Sequence, residues 1–233
     1  SMCKYSFIGL ELETDIQWRR DEMRDIEERL LNNDLQKEGQ VFDRRRKSLW
    51  VMLYSHYEGF FKFALHVYAS ALNRTRMDCG NAHKRLVAWS LDTIFHDIEN
   101  NESKEPFFKH QLPEEQDLHR LYRRSKIVET WRQLEERTLN IPDTAYSTKA
   151  NLDYIRLQQL LYQAGFDHNA FSEHEGSIAR LVIRRHSIAH GDPENRTSGI
   201  QGDEYQKIRL ITFDMMTHFS QLIVKSLSEQ SVN

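Results

Sequence analysis

The sequence predicts an all-α protein, and three observations support this. Glycine and proline are scarce, nine and four in 233 residues, so turns are few and elements long. Apolar residues recur at three- and four-residue intervals along several long segments, the period of a helix with one buried face. No segment sustains the alternation of a half-buried strand, so essentially no sheet is expected.

The elements follow in chain order. Residues 11–38 are dense in Glu, Asp and Arg, with Ile16, Met23, Ile26, Leu30 and Leu31 at helical spacing. They predict an amphipathic N-terminal helix with a wide, solvated charged face. Residues 41–73 contain the most apolar stretch, including Leu49, Trp50, Leu53, Tyr57, Phe60, Phe61, Phe63 and Val67. A helix apolar on most sides is a central one, covered by neighbours. His56 and Glu58 lie inside it. An unpaired carboxylate is costly to bury, so Glu58 is either a structural hydrogen-bond anchor or part of a site. Residues 80–98 predict a third helix. Residues 99–113, with Pro106 and Pro113, predict a loop.

Pro113-Glu114-Glu115 is a helix start, and the helix it opens is expected to reach about Leu139. Pro142 to Thr148 reads as a second loop. A helix over 151–164 stops at Gly165. Ser172 to His190 predicts a penultimate helix closed by Gly191-Asp192-Pro193, and 192–202 a loop. The last helix, Asp203 to Ser226, carries Ile208, Ile211, Met215, Phe219 and Ile223 on one face. The loop at 99–113 is the one plausible boundary, and neither side looks self-sufficient. A single domain over 1–233 is therefore expected, with a core of about 41–226 and residues 1–40 as an N-terminal amphipathic helix.

Composition narrows the function classes. A formal charge of −3 gives no general support to nucleic-acid binding, although a local basic patch can bind while the rest of a surface is acidic. The run Arg44, Arg45, Arg46, Lys47 is a candidate for tracking an RNA backbone, or else the solvated end of a helix; Arg120, Arg123 and Arg124 pose the same choice. Two cysteines, Cys3 and Cys79, make no disulfide framework. With no signal peptide at the N-terminus, a cytoplasmic protein is expected, and the glycosylation sequons at Asn73 and Asn195 read as chance matches. No apolar run approaches the roughly 20 residues that span a bilayer.

The chemistry-bearing stretch runs from Ile178 to Gly191. On a helix, Ile178, Leu181, Val182, Arg185, Ile188 and Ala189 share one stripe. Arg185 thus occupies a position where an apolar residue is expected, and a charge there must be paired or functional. Arg184 lies off that stripe. His190 is five residues on, about 140° further round the axis. His186 and His190, four apart, share a face. Their spacing also suits a metal, but no third ligand is apparent and no Glu follows His186, so neither metal nor other cofactor is expected.

Arg185-His186-Ser187-Ile188-Ala189-His190 resembles the signature of HEPN ribonucleases: an arginine, a polar residue, and a short gap to a histidine near the end of the penultimate helix. Gly191 and the short connection to a final amphipathic helix add to the likeness. Leu49-Trp50-Val51-Met52-Leu53-Tyr54-Ser55-His56-Tyr57-Glu58-Gly59-Phe60 is similar to the aromatic-Glu-Gly helix of the MAE-type HEPN-like nucleases. The likeness runs from about Val41 to Ile223, with residues 99–150 carrying none of it.

The resemblance implies a HEPN-like antiparallel helical bundle with additional helices, working as a homodimer whose two motifs meet across a cleft. It implies a metal-independent endoribonuclease of toxin or phage-defence type, with RNA as substrate and an antitoxin protein as a possible partner. His190 matches the catalytic histidine, Arg185 the motif arginine and His186 the polar residue after it. Arg184 gives an alternative register, and Glu58 a supporting position. The alternative function within the family is a non-catalytic module that binds nucleotide or a partner protein, such as a paired nucleotidyltransferase. A third reading is a helical scaffold in which Arg185 and His190 only form a dimer contact. RNA carries its own nucleophile, the 2′-hydroxyl, so histidine as acid or base and arginine as phosphate clamp suffice. The expected products carry 2′,3′-cyclic phosphate and 5′-hydroxyl ends.

Overall fold

A computed structural model describes residues 6–31, 40–100, 102–146, 151–190 and 202–229, leaving aside the side chains of residues 31, 40–45 and 202. These residues form eight α-helices: α1 (Ser6–Leu31), α2 (Gln40–Thr75), α3 (Lys84–Ser90), α4 (Asp92–Glu99), α5 (Gln116–Arg132), α6 (Tyr154–Gln163), α7 (Glu175–Ala189) and α8 (Gly202–Glu229). Among the described residues there is no strand, only an isolated bridge between Asp78 and Thr138. The all-α expectation is met. None of the described helices is long and apolar enough to cross a membrane. The loop expected at 192–202 falls almost wholly outside the described residues.

The chain forms two compact units: one built from the segments up to Tyr68 and from Tyr146 onward, the other from Ala69–Ala145. In the first, α1 packs along α8. The two are antiparallel: Gly9 near the start of α1 lies by Val224, whereas Glu27 near its end pairs with Arg209 at 2.8 Å. Ile8, Leu12, Ile16 and Met23 are buried on this seam, so α1 belongs to the core and is no appendage.

α2 runs parallel to α8. Trp50 meets Tyr205 edge-on at 5.6 Å, Phe61 stacks on Phe219 at 5.0 Å, and the Tyr68 and Ser226 hydroxyls are 3.0 Å apart. Phe61 also meets Phe60 and Phe171, and Phe219 meets Phe166, so the centre is a set of interlocked rings. Each fully buried aromatic stabilises by about 1.5–3 kcal/mol, which makes this cluster a main source of cohesion. α7 runs back along α8, with Arg180 and Arg184 both on Glu204 near the start of α8. α6 is capped by Asp153, whose side chain accepts the Arg156 N–H at 2.8 Å, and it ends as expected at Gly165, where φ is 84°.

In the second unit the chain is clasped near its entry and exit. The Asn73 side chain accepts the Ile141 N–H at 2.8 Å and donates to its carbonyl at 2.9 Å. The Cys79 N–H donates to the Arg137 carbonyl, and Leu139 N–H to that of Met77, both at 2.7 Å.

Two expected helices differ here. Residues 80–98 are broken at Leu91, which has φ −99° and ψ 4° and whose N–H is shared between the Val87 and Ala88 carbonyls. The helix expected from Pro113 starts at Gln116 and stops at Arg132, short of Leu139. A turn over 112–115 intervenes, because buried His119 reaches back: its Nδ1 accepts the Glu105 N–H at 3.1 Å and its Nε2 donates to the Leu112 carbonyl at 2.9 Å. Buried Arg123 donates to the Ser103 carbonyl at 3.0 Å. The loop expected at 99–113 thus lies within the second unit, held by α5 side chains.

Candidate active site

The last turns of α7 carry the predicted motif, and the helix separates its members by direction. Arg184 and Arg185 point about 100° apart, as neighbours on a helix must. Arg184, expected off the buried stripe, is in fact held inward: its side chain is 15% exposed and its Nη2 lies 2.9 Å from Glu204. Arg180 approaches the same carboxylate at 2.8 Å. Glu204 is therefore shared by two guanidiniums.

Arg185 turns toward α2. Its guanidinium lies over the ring of Tyr54, 5.2 Å from the centroid. Among the described residues no carboxylate pairs with it and no hydrogen bond engages its N–H groups. A guanidinium above an aromatic ring is held by the ring's negative face without an ionic partner. The two candidate arginines are thus chemically distinct: Arg184 is committed, while Arg185 is oriented and available.

Tyr54 itself is buried, and its hydroxyl accepts the Leu152 N–H at 2.8 Å. Its pKa is pushed up to about 12. Burial is the main cause; the Leu152 N–H opposes it, the nearby Glu58 adds to it, and the Arg185 charge pulls the other way. Glu58, one turn on, receives Lys62 Nζ at 2.7 Å and is half-buried. The structure thus shows Glu58 held by Lys62 one turn from Tyr54, and no described contact joins it to Arg185. Tyr57 lies beside them, its hydroxyl buried with no hydrogen-bond partner among the described residues; burial drives its pKa upward, reinforced by Tyr54, Asp153 and Glu58.

His186 and His190 are exposed, with ring centroids 4.3 Å apart, so the shared face read from their spacing is real. The helix proper ends at Ala189. His190 is its C-cap, and its N–H still donates to the His186 carbonyl at 3.0 Å. These two imidazoles continue an exposed stripe of Gly176, Ala179, Arg180 and Ile183 along α7. Among the described residues no three His, Cys, Asp or Glu side chains gather as metal ligands.

The basic run at the start of α2 is a different matter. Arg44 and Arg45 lie on the helix, but their side chains are outside the described residues; Arg46 is half-buried. The sequence reading missed Tyr54 as a functional candidate and Glu204 as the partner of Arg184. Tyr54 had a signal, its four-residue spacing from Glu58 on the same helix. Glu204 had none, because its pairing is set by how α7 and α8 meet.

A helical bundle whose penultimate helix ends in an arginine-histidine motif defines a class of nuclease-like and nucleotide-binding modules, the HEPN superfamily. A model of the MAE-like HEPN family matches residues 10–232, and the chain belongs to that family. No curated protein and no solved structure matches it significantly.

Proposed function

We propose that this protein is a metal-independent endoribonuclease with Arg185, His186 and His190 as its catalytic residues. The observation that carries the reading is the contrast at α7: Arg184 is paired with Glu204 through Nη2, whereas Arg185 lies over the Tyr54 ring with no carboxylate or hydrogen-bond partner among the described residues, on the same helical turns as two exposed imidazoles. That combination suits a scissile phosphate. The guanidinium forks onto the non-bridging oxygens and stabilises the negative phosphorane. His186 takes the 2′-hydroxyl proton as O2′ attacks phosphorus. His190 delivers a proton to O5′ as the P–O5′ bond breaks, leaving a 2′,3′-cyclic phosphate and a 5′-hydroxyl.

Family members commonly dimerise, and the exposed α7 stripe beside the histidines is the face through which a second copy would complete the cleft. A role as a toxin or defence effector, with an antitoxin protein to restrain it, rests on the family alone.

The test is cleavage of total RNA in EDTA. Wild type is expected to produce 2′,3′-cyclic phosphate ends, and His190→Ala to lose on the order of 10²-fold or more in rate. Equal activity in the two proteins removes the assignment. Absent cleavage with retained nucleotide binding favours the non-catalytic module instead.

A further inference from the structure

We infer that Tyr54 is the positioning residue of the site, its ring fixing where Arg185 presents its donors. The catalytic consequence rests on the nuclease reading; the positioning itself does not.

The argument is geometric. A free arginine side chain has many rotamers, and its guanidinium finds a phosphate only after they are frozen. Here the Arg185 Cζ lies over an aromatic ring, 5.2 Å from its centroid. That cation–π contact restrains the end of the side chain, and among the described residues no hydrogen bond engages its N–H groups. The ring is itself immobile. It sits on α2 inside the aromatic core, 6.1 Å from the Tyr57 ring, and its hydroxyl is tied to the backbone N–H of Leu152 just ahead of α6. The phenol keeps its proton at neutral pH, because burial and Glu58 disfavour the phenolate. It therefore stays a neutral acceptor for the Leu152 N–H. Lys62 holds Glu58 from the next turn. Arg185 is aimed from α7, but the reference against which it is aimed lies on α2.

Two variants separate ring from hydroxyl. Tyr54→Leu removes the face on which the guanidinium rests, and kcat on RNA is expected to fall on the order of 10²-fold, with KM changed less. Tyr54→Phe retains the face and loses only the tether, and is expected to stay within about fivefold of wild type. Equal losses in Tyr54→Leu and Tyr54→Phe, or a kcat in Tyr54→Leu equal to that of wild type, overturn the inference.

A second readout needs no activity. The Arg185 Nε–H order parameter, measured by NMR on the folded full chain, is expected to be high in wild type and to fall below about 0.6 in Tyr54→Leu. An Arg185 as mobile in wild type as in Tyr54→Leu overturns the positioning role. If RNA stays intact while this loss of order is seen, the nuclease reading fails and the positioning stands.

Discussion

Arg184 and Arg185 are chemically identical neighbours with opposite fates, and substituting each separately distinguishes them. Arg185→Ala is expected to abolish RNA cleavage, on the order of 10²-fold or more, with little change in melting temperature, since the charge it removes has no described ionic partner. Arg184→Ala is expected to do the reverse. It strips one of two guanidiniums from the half-buried Glu204 and should cost about 1–2 kcal/mol, between the values for exposed and buried pairs, while cleavage persists in the folded fraction. Thermal melts and cleavage rates on both variants decide it. The sequence makes the Arg185 half of this contrast legible, because a charge on an otherwise apolar stripe shows in the periodicity. The other half is not legible. Arg184 looks like a surface residue until α8 brings Glu204 against it, and no local pattern encodes that pairing. Tyr54 is an intermediate case: its spacing to Glu58 can be read along the chain, but its place under Arg185 cannot.

The seam between α1 and α2 shows how one helix of charges becomes part of a core. The charged face of α1 reads as solvated, yet Arg19 is buried, held by Asp15 at 2.6 Å. Its guanidinium lies against Gly59, where an added Cβ would come within 3.0 Å of Nη1. The glycine after Glu58 therefore gives α1 room to bring a guanidinium onto α2. Arg19 Nη1 donates to His56 Nδ1 at 3.4 Å, so the ring proton resides on Nε2, which faces Glu22 at 3.2 Å. Burial, and then the Arg19 charge, depress the His56 pKa, against the pull of Glu22 and Asp15.

The pH consequence follows from linkage. The unfolded chain binds a proton at His56 near the usual value of about 6.5, which the folded chain refuses. The stability this represents is complete above that pH and declines as pH falls through it. Chemical denaturation at pH 7.5 and pH 5.5 should show lower stability at the acid end, and His56→Gln should flatten that slope. An unchanged slope counts against this account. At this scale the six longest elements are visible in the sequence, within a few residues at most ends. The break at Leu91 and the late start of α5 are not visible. The first has no glycine or proline to mark it, and the second is set by His119 reaching back across the chain.

At the scale of the molecule, every residue to which chemistry is assigned — Tyr54, Glu58, Arg185, His186 and His190 — lies in the first compact unit. The second unit begins at Ala69, inside the unbroken α2, and ends at Ala145. Sequence reading places its one candidate boundary at 99–113 because composition changes there. A boundary inside a continuous helix leaves no such trace. The dimer proposal makes its own prediction. Activity per protomer should fall on dilution in step with the conversion of dimer to monomer in sedimentation, and constant specific activity across that range would separate catalysis from assembly.

The double grip on Glu204 also has a consequence for engineering. Arg180 and Arg184 fasten α7 to the beginning of α8, a link made by side chains and independent of chain connectivity. Doubling the length of a flexible connection costs only about 0.6 kcal/mol. Residues inserted between the two helices are therefore expected to leave the bundle in register, and losing both arginines is expected to remove that tolerance.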